Sequence, residues 1–243
     1  MALKRFFVDK SNFKGDYIYI DGIEHNHLKN VMRMKEGESI VVVCGDEYDY
    51  ECTIETITKG DTKVRVVGKT LNKYNPKADV TVFQALTKSD NMMLIVQKLT
   101  ELGVTTFYPF LSEFITSKDK VGKVDKLQTT SNQSIKQCKR SIPMQVLDVL
   151  KFKDVVAKLS EYDIVLFANE CEKDVSLESK ISAEHKKVAI IVGSEGGFSA
   201  NEISVLKAHG ATSVSLGSRI LRAETASIAL TSVVMYLLGE WSV

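Results

Sequence analysis

Apolar residues along this chain follow two rhythms, and the change comes near residue 70. Before it, Phe6 to Val8, Tyr17 to Ile20, Ser39 to Cys44, Tyr48 to Ile57 and Lys63 to Val67 are short runs rich in β-branched and aromatic residues, which predicts strands. Gly45-Asp46-Glu47 separates two of them and suits a hairpin turn. One stretch, about Glu24 to Met34, instead sets Leu28, Val31 and Met32 on one side of a helix. A small β-barrel with one helix accounts for this pattern. Thr70 to Asp79 is polar, holds one of three prolines and reads as a linker.

Beyond the linker, strands and helices alternate. Val80 to Leu86 is strand-like. Ser89 can cap a helix in which Met92, Ile95, Leu99 and Leu102 recur, with Gly103 as its stop. A strand at Thr105 to Phe110 precedes a long helix near 121–140, where Val124, Leu127, Ser131, Ile135 and Cys138 repeat every three or four residues. A strand at 145–150, a helix at 151–160 and a strand at Ile164 to Ala168 follow. Val188 to Val192 and Val214 to Leu216 read as buried strands, each leading through glycine into a helix, the last from Glu224 to Leu238. This order predicts a mainly parallel sheet covered on both faces.

Composition narrows the class. In 243 residues, 44% are hydrophobic and 26% charged, which excludes disordered and fibrous chains. Net charge is only +1, yet Ser117 to Arg140 holds seven basic residues (Lys118, Lys120, Lys123, Lys126, Lys136, Lys139, Arg140) and two acidic ones. That stretch is +5 and leaves −4 elsewhere, so it reads either as a solvated helix face or as a phosphate-tracking patch. Cys44, Cys52, Cys138 and Cys171 form no CxxC pair, and His25 and His27 diverge on a helix, so no metal is expected. The N-terminus lacks the apolar core of a signal peptide, and no apolar run approaches the roughly 18 residues that span a bilayer. A cytoplasmic protein is expected.

Two loops carry candidate chemistry. Ile191 to Ser199 (IVGSEGGFS) leaves a buried strand through three glycines, and Ser199 with Glu202 has capping-box spacing for a helix from Ala200. Such a turn is either structural or a ligand cradle, and its spacing matches neither the dinucleotide nor the nucleoside-triphosphate loop. Leu216 to Leu230 (LGSRILRAETASIAL) again leads from strand to helix. Only six of 32 basic residues are arginine, so Arg219 and Arg222 together point to planar recognition of phosphate or a base, unless they are solvated. Glu224 suits a helix N-terminus as well as it suits chemistry. In the last helix Ala226, Ala229, Leu230, Val233 and Leu237 form one stripe, with apolar residues on other sides too, as at a subunit interface.

Those two loops resemble the signature of the RsmE family of 16S rRNA uridine methyltransferases, within the SPOUT superfamily. RFFVD at 5–9, HLKNVMR at 27–33, the QAL-to-ELGV stretch at 84–104 and QCKRSIP at 137–143 extend the resemblance along nearly the whole chain. Ser194 and Ser218 depart from it where the family usually has proline, Phe114 where it has arginine, and Cys138 where it often has serine.

The resemblance implies a PUA-like RNA-binding barrel over 1–72 and a SPOUT methyltransferase domain over 73–243, an α/β domain with a deep trefoil knot. It implies S-adenosyl-L-methionine across three loops, held by Phe167, Ala168, Asn169, Val192, Gly193, Glu195, Gly196, Gly197, Leu216, Gly217, Ile220, Leu221 and Ala226. It further implies methylation of uridine N3 in the decoding region of 16S rRNA, on the assembled small subunit, by a homodimer. Arg222 and Arg219 are the expected stabilisers of charge on the uracil oxygens, and Glu224 is a candidate base. Arg33, Lys136, Arg140 and Arg219 are the expected RNA contacts. A SPOUT-type RNA-binding protein without catalysis, or a methyltransferase of another rRNA or tRNA site, would share these features.

Overall fold

The computed structural model describes residues 3–115, 124–170, 172 and 177–242. Its contacts divide the chain into Met1–Asn75 with Asn132–Pro143, and Pro76–Ser131 with Met144–Val243.

In the first unit, strands β1 (Lys4–Phe7), β2 (Phe13–Lys14), β3 (Tyr17–Asp21), β4 (Ser39–Val43), β5 (Tyr48–Ile57) and β6 (Asp61–Leu71) form a mixed sheet in the order β1-β4-β5-β6-β3-β2. Only β1 and β4 run parallel; the other pairs are antiparallel. Alternation along β3 and β4 turns Ile18, Ile20, Ile40 and Val42 into one core with Phe6, Ile54 and Val64. The β4–β5 hairpin closes through Gly45 at φ 76°.

Helix α1 (Gly22–Asn26) continues as a π-turn over His27–Val31, where the Met32 amide reaches back five residues to the His27 carbonyl. The wider turn changes the phase of the apolar positions. Leu28 is fully buried and Met32 packs on the core, but Val31 points outward, 66% exposed, against the expectation of one shared face. The expected linker is also shorter than its polarity suggests, because β6 runs on through Thr70 and Leu71. Asn72 and Asn75 are tied down as well: Asn72 donates to Asp49 and to the Lys139 carbonyl, and Asn75 donates to Ser141.

The second unit holds β7 (Asp79–Ala85), α2 (Ser89–Leu102), β8 (Thr106–Leu111), α3 (Val124–Cys138, whose last turns fall to the first unit), β9 (Gln145–Val146), β10 (Leu150–Lys151), α4 (Phe152–Lys158), β11 (Ile164–Ala168), β12 (Lys187–Val192), α5 (Ala200–Ala208), β13 (Thr212–Val214) and α6 (Ala223–Leu237). The sheet is parallel throughout, ordered β10-β8-β7-β12-β11-β13, with β9 beside β8. Val80, Val82, Ile190 and Val192 face one core with residues of α2 and α6. Phe83, Ala85, Ala189 and Ile191 face another, with Val155 and Leu206. Burial on both faces is why these strands read as nearly unbroken apolar runs.

Several boundaries differ from the sequence reading. Ser89 is the first helical residue rather than the cap, Lys88 holds the cap position, and no side chain caps the helix. Gly103, at φ 105°, ends α2 as expected. The strand expected over 145–150 is two short ones, and β13 ends at Val214, which leaves Leu216 in the loop. On α6 the buried face is Ala223, Ser227, Leu230, Thr231, Val234 and Met235. Of the stripe Ala226, Ala229, Leu230, Val233 and Leu237, Leu230 is buried, Ala226 and Leu237 pack partly buried against the core, and Val233 is exposed.

Cys44 and Cys52 are buried, and burial pushes both thiols up to about 12. Cys138 is half-buried, and Cys171 lies outside the described residues. Among the described residues no cluster of three or more His, Cys, Asp or Glu could hold a metal, and no helix is long and apolar enough to cross a membrane.

Candidate active site

Ligands in open parallel sheets bind beyond the carboxyl ends of the strands. Here the chain segments after β11, β12 and β13 line one cavity of about 580 Å³ in the second unit. The Asn169 amide donates to the Val214 carbonyl and its side chain to Ser213 Oγ at 3.0 Å, which ties the first of these segments to the end of β13.

The segment after β12 is tightly folded. The Gly197 amide donates to the Ser194 carbonyl at 3.0 Å, and Gly197 sits at φ 70°. Fully buried Gln84 donates from Nε2 to the Gly193 carbonyl at 3.1 Å. A Cβ on Gly193 would meet the Gly197 backbone at 3.0 Å, so any larger residue there would press the turn outward by a few tenths of an ångström. The predicted capping box is present: Glu202 donates its amide to Ser199 Oγ and accepts from the Ser199 amide. The other Glu202 oxygen accepts from the Glu113 amide at 3.0 Å, so a 3%-exposed carboxylate also anchors the end of β8.

The segment after β13 is open by contrast. Gly217 to Ile220 are exposed, and Ile220 lines the cavity while 81% exposed. Arg222 occupies the N-cap position of α6 without a side-chain capping bond. Arg219, Arg222 and Glu224 all face the cavity, with cationic and anionic groups on one wall. Glu224 Oε2 accepts from Asn91 Nδ2 at 3.4 Å.

The cavity lining gathers nearly every expected cofactor residue: Ala168, Asn169, Val192, Gly193, Glu195, Gly196, Gly197, Leu216, Gly217, Ile220, Leu221 and Ala226. Phe167 does not line it but lies behind the wall, fully buried and edge-to-face with Phe198, which does line it. Sequence reasoning missed Lys88 and Asn91 at the start of α2, along with Glu170, Phe198 and Ile203. The signal for Lys88 and Asn91 was their place directly after β7, at the carboxyl edge of the same sheet.

The expected RNA contacts lie in the first unit, apart from Arg219. Arg33 is exposed and takes a left-handed backbone, φ 53°. Lys136 is half-buried and paired with Glu24 at 2.6 Å. Arg140 is 2% exposed, turned inward after Lys139 at φ 67°, so its guanidinium is not offered to solvent. Of the basic stretch, Lys118, Lys120 and Lys123 lie outside the described residues.

Taken together, glycine amides, apolar walls and two guanidiniums beside a carboxylate suit a partly apolar ligand with a charged group, next to a site where negative charge develops. Comparison with known proteins agrees with this chemistry. Residues 73–235 match the model of an RNA methyltransferase domain, and residues 20–67 that of an RNA methyltransferase PUA domain. The ribosomal RNA small subunit methyltransferase E of Aquifex aeolicus is 31% identical over 91% of this chain and 95% of its own. That of Rickettsia conorii is 29% identical over 98% and 97%. The crystal structure of the Neisseria gonorrhoeae enzyme bound to S-adenosyl methionine superposes with a TM-score of 0.88 at 23% identity, covering 99% of this chain and all of the other. A parallel-sheet domain with this glycine-turn cavity, joined to a PUA domain and matched over its whole length, makes this chain a member of the ribosomal RNA small subunit methyltransferase E family.

Proposed function

We propose that the chain transfers a methyl group from S-adenosylmethionine to N3 of a uridine in the decoding region of 16S rRNA, on the assembled small subunit. The observation that carries the reading is one cavity lined by both the Gly193–Gly197 turn and residues of the Arg219–Glu224 segment. The residues fit the cofactor: the turn is drawn so close that a Cβ at Gly193 would crowd the Gly197 backbone, and Val192, Leu216, Ile220 and Leu221 supply apolar walls. When bound, S-adenosylmethionine supplies an electrophilic methyl on a sulfonium.

Uridine N3 carries a proton, and its lone pair becomes nucleophilic as that proton leaves. In this reading Glu224 accepts the proton, supported by its position on the cavity wall, with Asn91 donating to its carboxylate at 3.4 Å. Arg222 and Arg219 hold the negative charge that builds on the uracil oxygens. Residues 1–72, as a PUA-like barrel, bind RNA backbone, with Arg33 as the exposed contact. Lys136 joins it on release from Glu24, and buried Arg140 supports that surface from within. The 73–243 domain carries the trefoil knot in this reading. The exposed apolar side of α6, Val233 and Tyr236 with neighbouring Trp241, forms the homodimer interface.

The test uses small subunits from a strain deleted for this gene, incubated with the protein and methyl-labelled cofactor. Nucleoside mass spectrometry should show N3-methyluridine at one site. Label on a different nucleoside, or none, overturns the reading.

A further inference from the structure

An aromatic ring stands beside the cofactor turn without a role in the chemistry above. Phe114 is 46% exposed, yet its backbone is held at three points. The Glu113 amide donates to buried Glu202 at 3.0 Å. The Phe114 carbonyl accepts from Ser194 Oγ at 3.1 Å, and Ile115 is 9% exposed in the core. Gly196, which lines the cavity, sits so close that a Cβ on it would lie 2.9 Å from Phe114 Cβ. The ring is thus held out beside the catalytic cavity by a rigid support rather than collapsed onto the surface.

We infer that Phe114 is a stacking platform for a base of the acceptor RNA. The inference rests on the proposed methylation and specifies how its substrate is held. N3 lies on the pairing edge of uracil, so the target nucleotide must leave its pair and stack before it can react, at a cost of a few kcal/mol. A half-exposed ring whose backbone is already fixed replaces lost stacking at little entropic cost, and it does so for any base. Lys88 on the wall of the neighbouring cavity offers a contact to a flanking phosphate.

The variants Phe114→Ala, Phe114→Leu and Phe114→Trp separate stacking from space filling. The substrate is small subunits lacking the modification, and the cofactor affinity is read by calorimetry. Phe114→Ala and Phe114→Leu should both raise KM for the subunit roughly tenfold, with cofactor Kd unchanged, and Phe114→Trp should restore it. A Phe114→Leu enzyme with wild-type KM overturns the inference, because leucine fills the space without a π-face. So does a loss that appears in cofactor Kd instead of KM. Wild-type protein that transfers no methyl group at all removes the underlying reading as well, an outcome distinct from either of these.

Discussion

The two loops that meet at the cavity are built on opposite principles. The turn after β12 is bound at almost every residue: Gln84 holds Gly193, Ser194 holds Phe114, Gly197 closes on Ser194, and a complete capping box starts α5. The segment after β13 has exposed residues from Gly217 to Ile220 and an uncapped arginine at the helix start. Both are strand-to-helix connections of one sheet, so topology does not explain the difference. The proposed function gives the difference a use: the first loop would shape the cofactor site through its backbone and so be rigid beforehand, whereas the second, besides adding apolar walls, would present charged side chains to an incoming RNA, which needs reach.

The sharpest way to break the comparison is to remove chemistry from the open loop. Arg222→Ala should lower kcat by about 10²- to 10³-fold, the loss typical of a deleted charge-stabilising donor, with cofactor affinity nearly unchanged in calorimetry. Most methylation surviving at saturating cofactor would sink the role given to Arg222. In the closed turn the signature should invert. Gly196→Ala forces its new methyl against Phe114 Cβ at 2.9 Å, so the turn must shift. Cofactor Kd should rise about tenfold, matching a displacement that costs ~1.4 kcal/mol, while saturating cofactor recovers most of kcat. Equal effects of both variants on kcat would erase the distinction between the loops.

The same contrast explains what the sequence revealed. The closed turn was legible because its constraints are local: three glycines, and Ser199 and Glu202 at capping-box spacing, fix the backbone within a dozen residues. The parallel sheet and its two covered faces followed from strands alternating with helices and from unbroken apolar runs such as Val188 to Val192. What escaped depends on distant partners. Lys88 and Asn91 join the cavity only because β7 lies beside β12 in the sheet. Val31 was misassigned because a π-turn changes the helical period, and nothing in local spacing announces one. Arg140 looked like a surface cation, but the left-handed Lys139 before it turns it inward. On α6 the apolar stripe does not mark the face turned to the core, where Ser227 and Thr231 are buried while Val233 and Tyr236 stay outside.

A third test weighs the support beneath the closed turn. Glu202→Gln keeps the shape of the side chain but replaces one acceptor oxygen by an amide donor. It then opposes either the Ser199 or the Glu113 amide. A buried donor facing a donor costs about 1–3 kcal/mol. The midpoint of denaturant unfolding should fall accordingly, and the subunit KM should rise with it, since the Glu113 end of the Phe114 support loosens. An unchanged midpoint would show that the carboxylate is not needed to hold β8 to the turn.

The smallest expected effect comes from Ser194→Ala. Its hydroxyl donates one neutral hydrogen bond to the Phe114 carbonyl at 3.1 Å and accepts a long one from the Gly196 amide at 3.4 Å. Loss of one such bond costs about 1 kcal/mol, and the Gln84 contact, the Gly197 closure and the capping box all remain. Cofactor Kd should therefore change less than threefold, because redundancy of restraint is what makes the turn rigid. A tenfold or larger loss would mean that this single bond, rather than the set, holds the cradle in shape. The closed loop would then be as dependent on individual side chains as the open one.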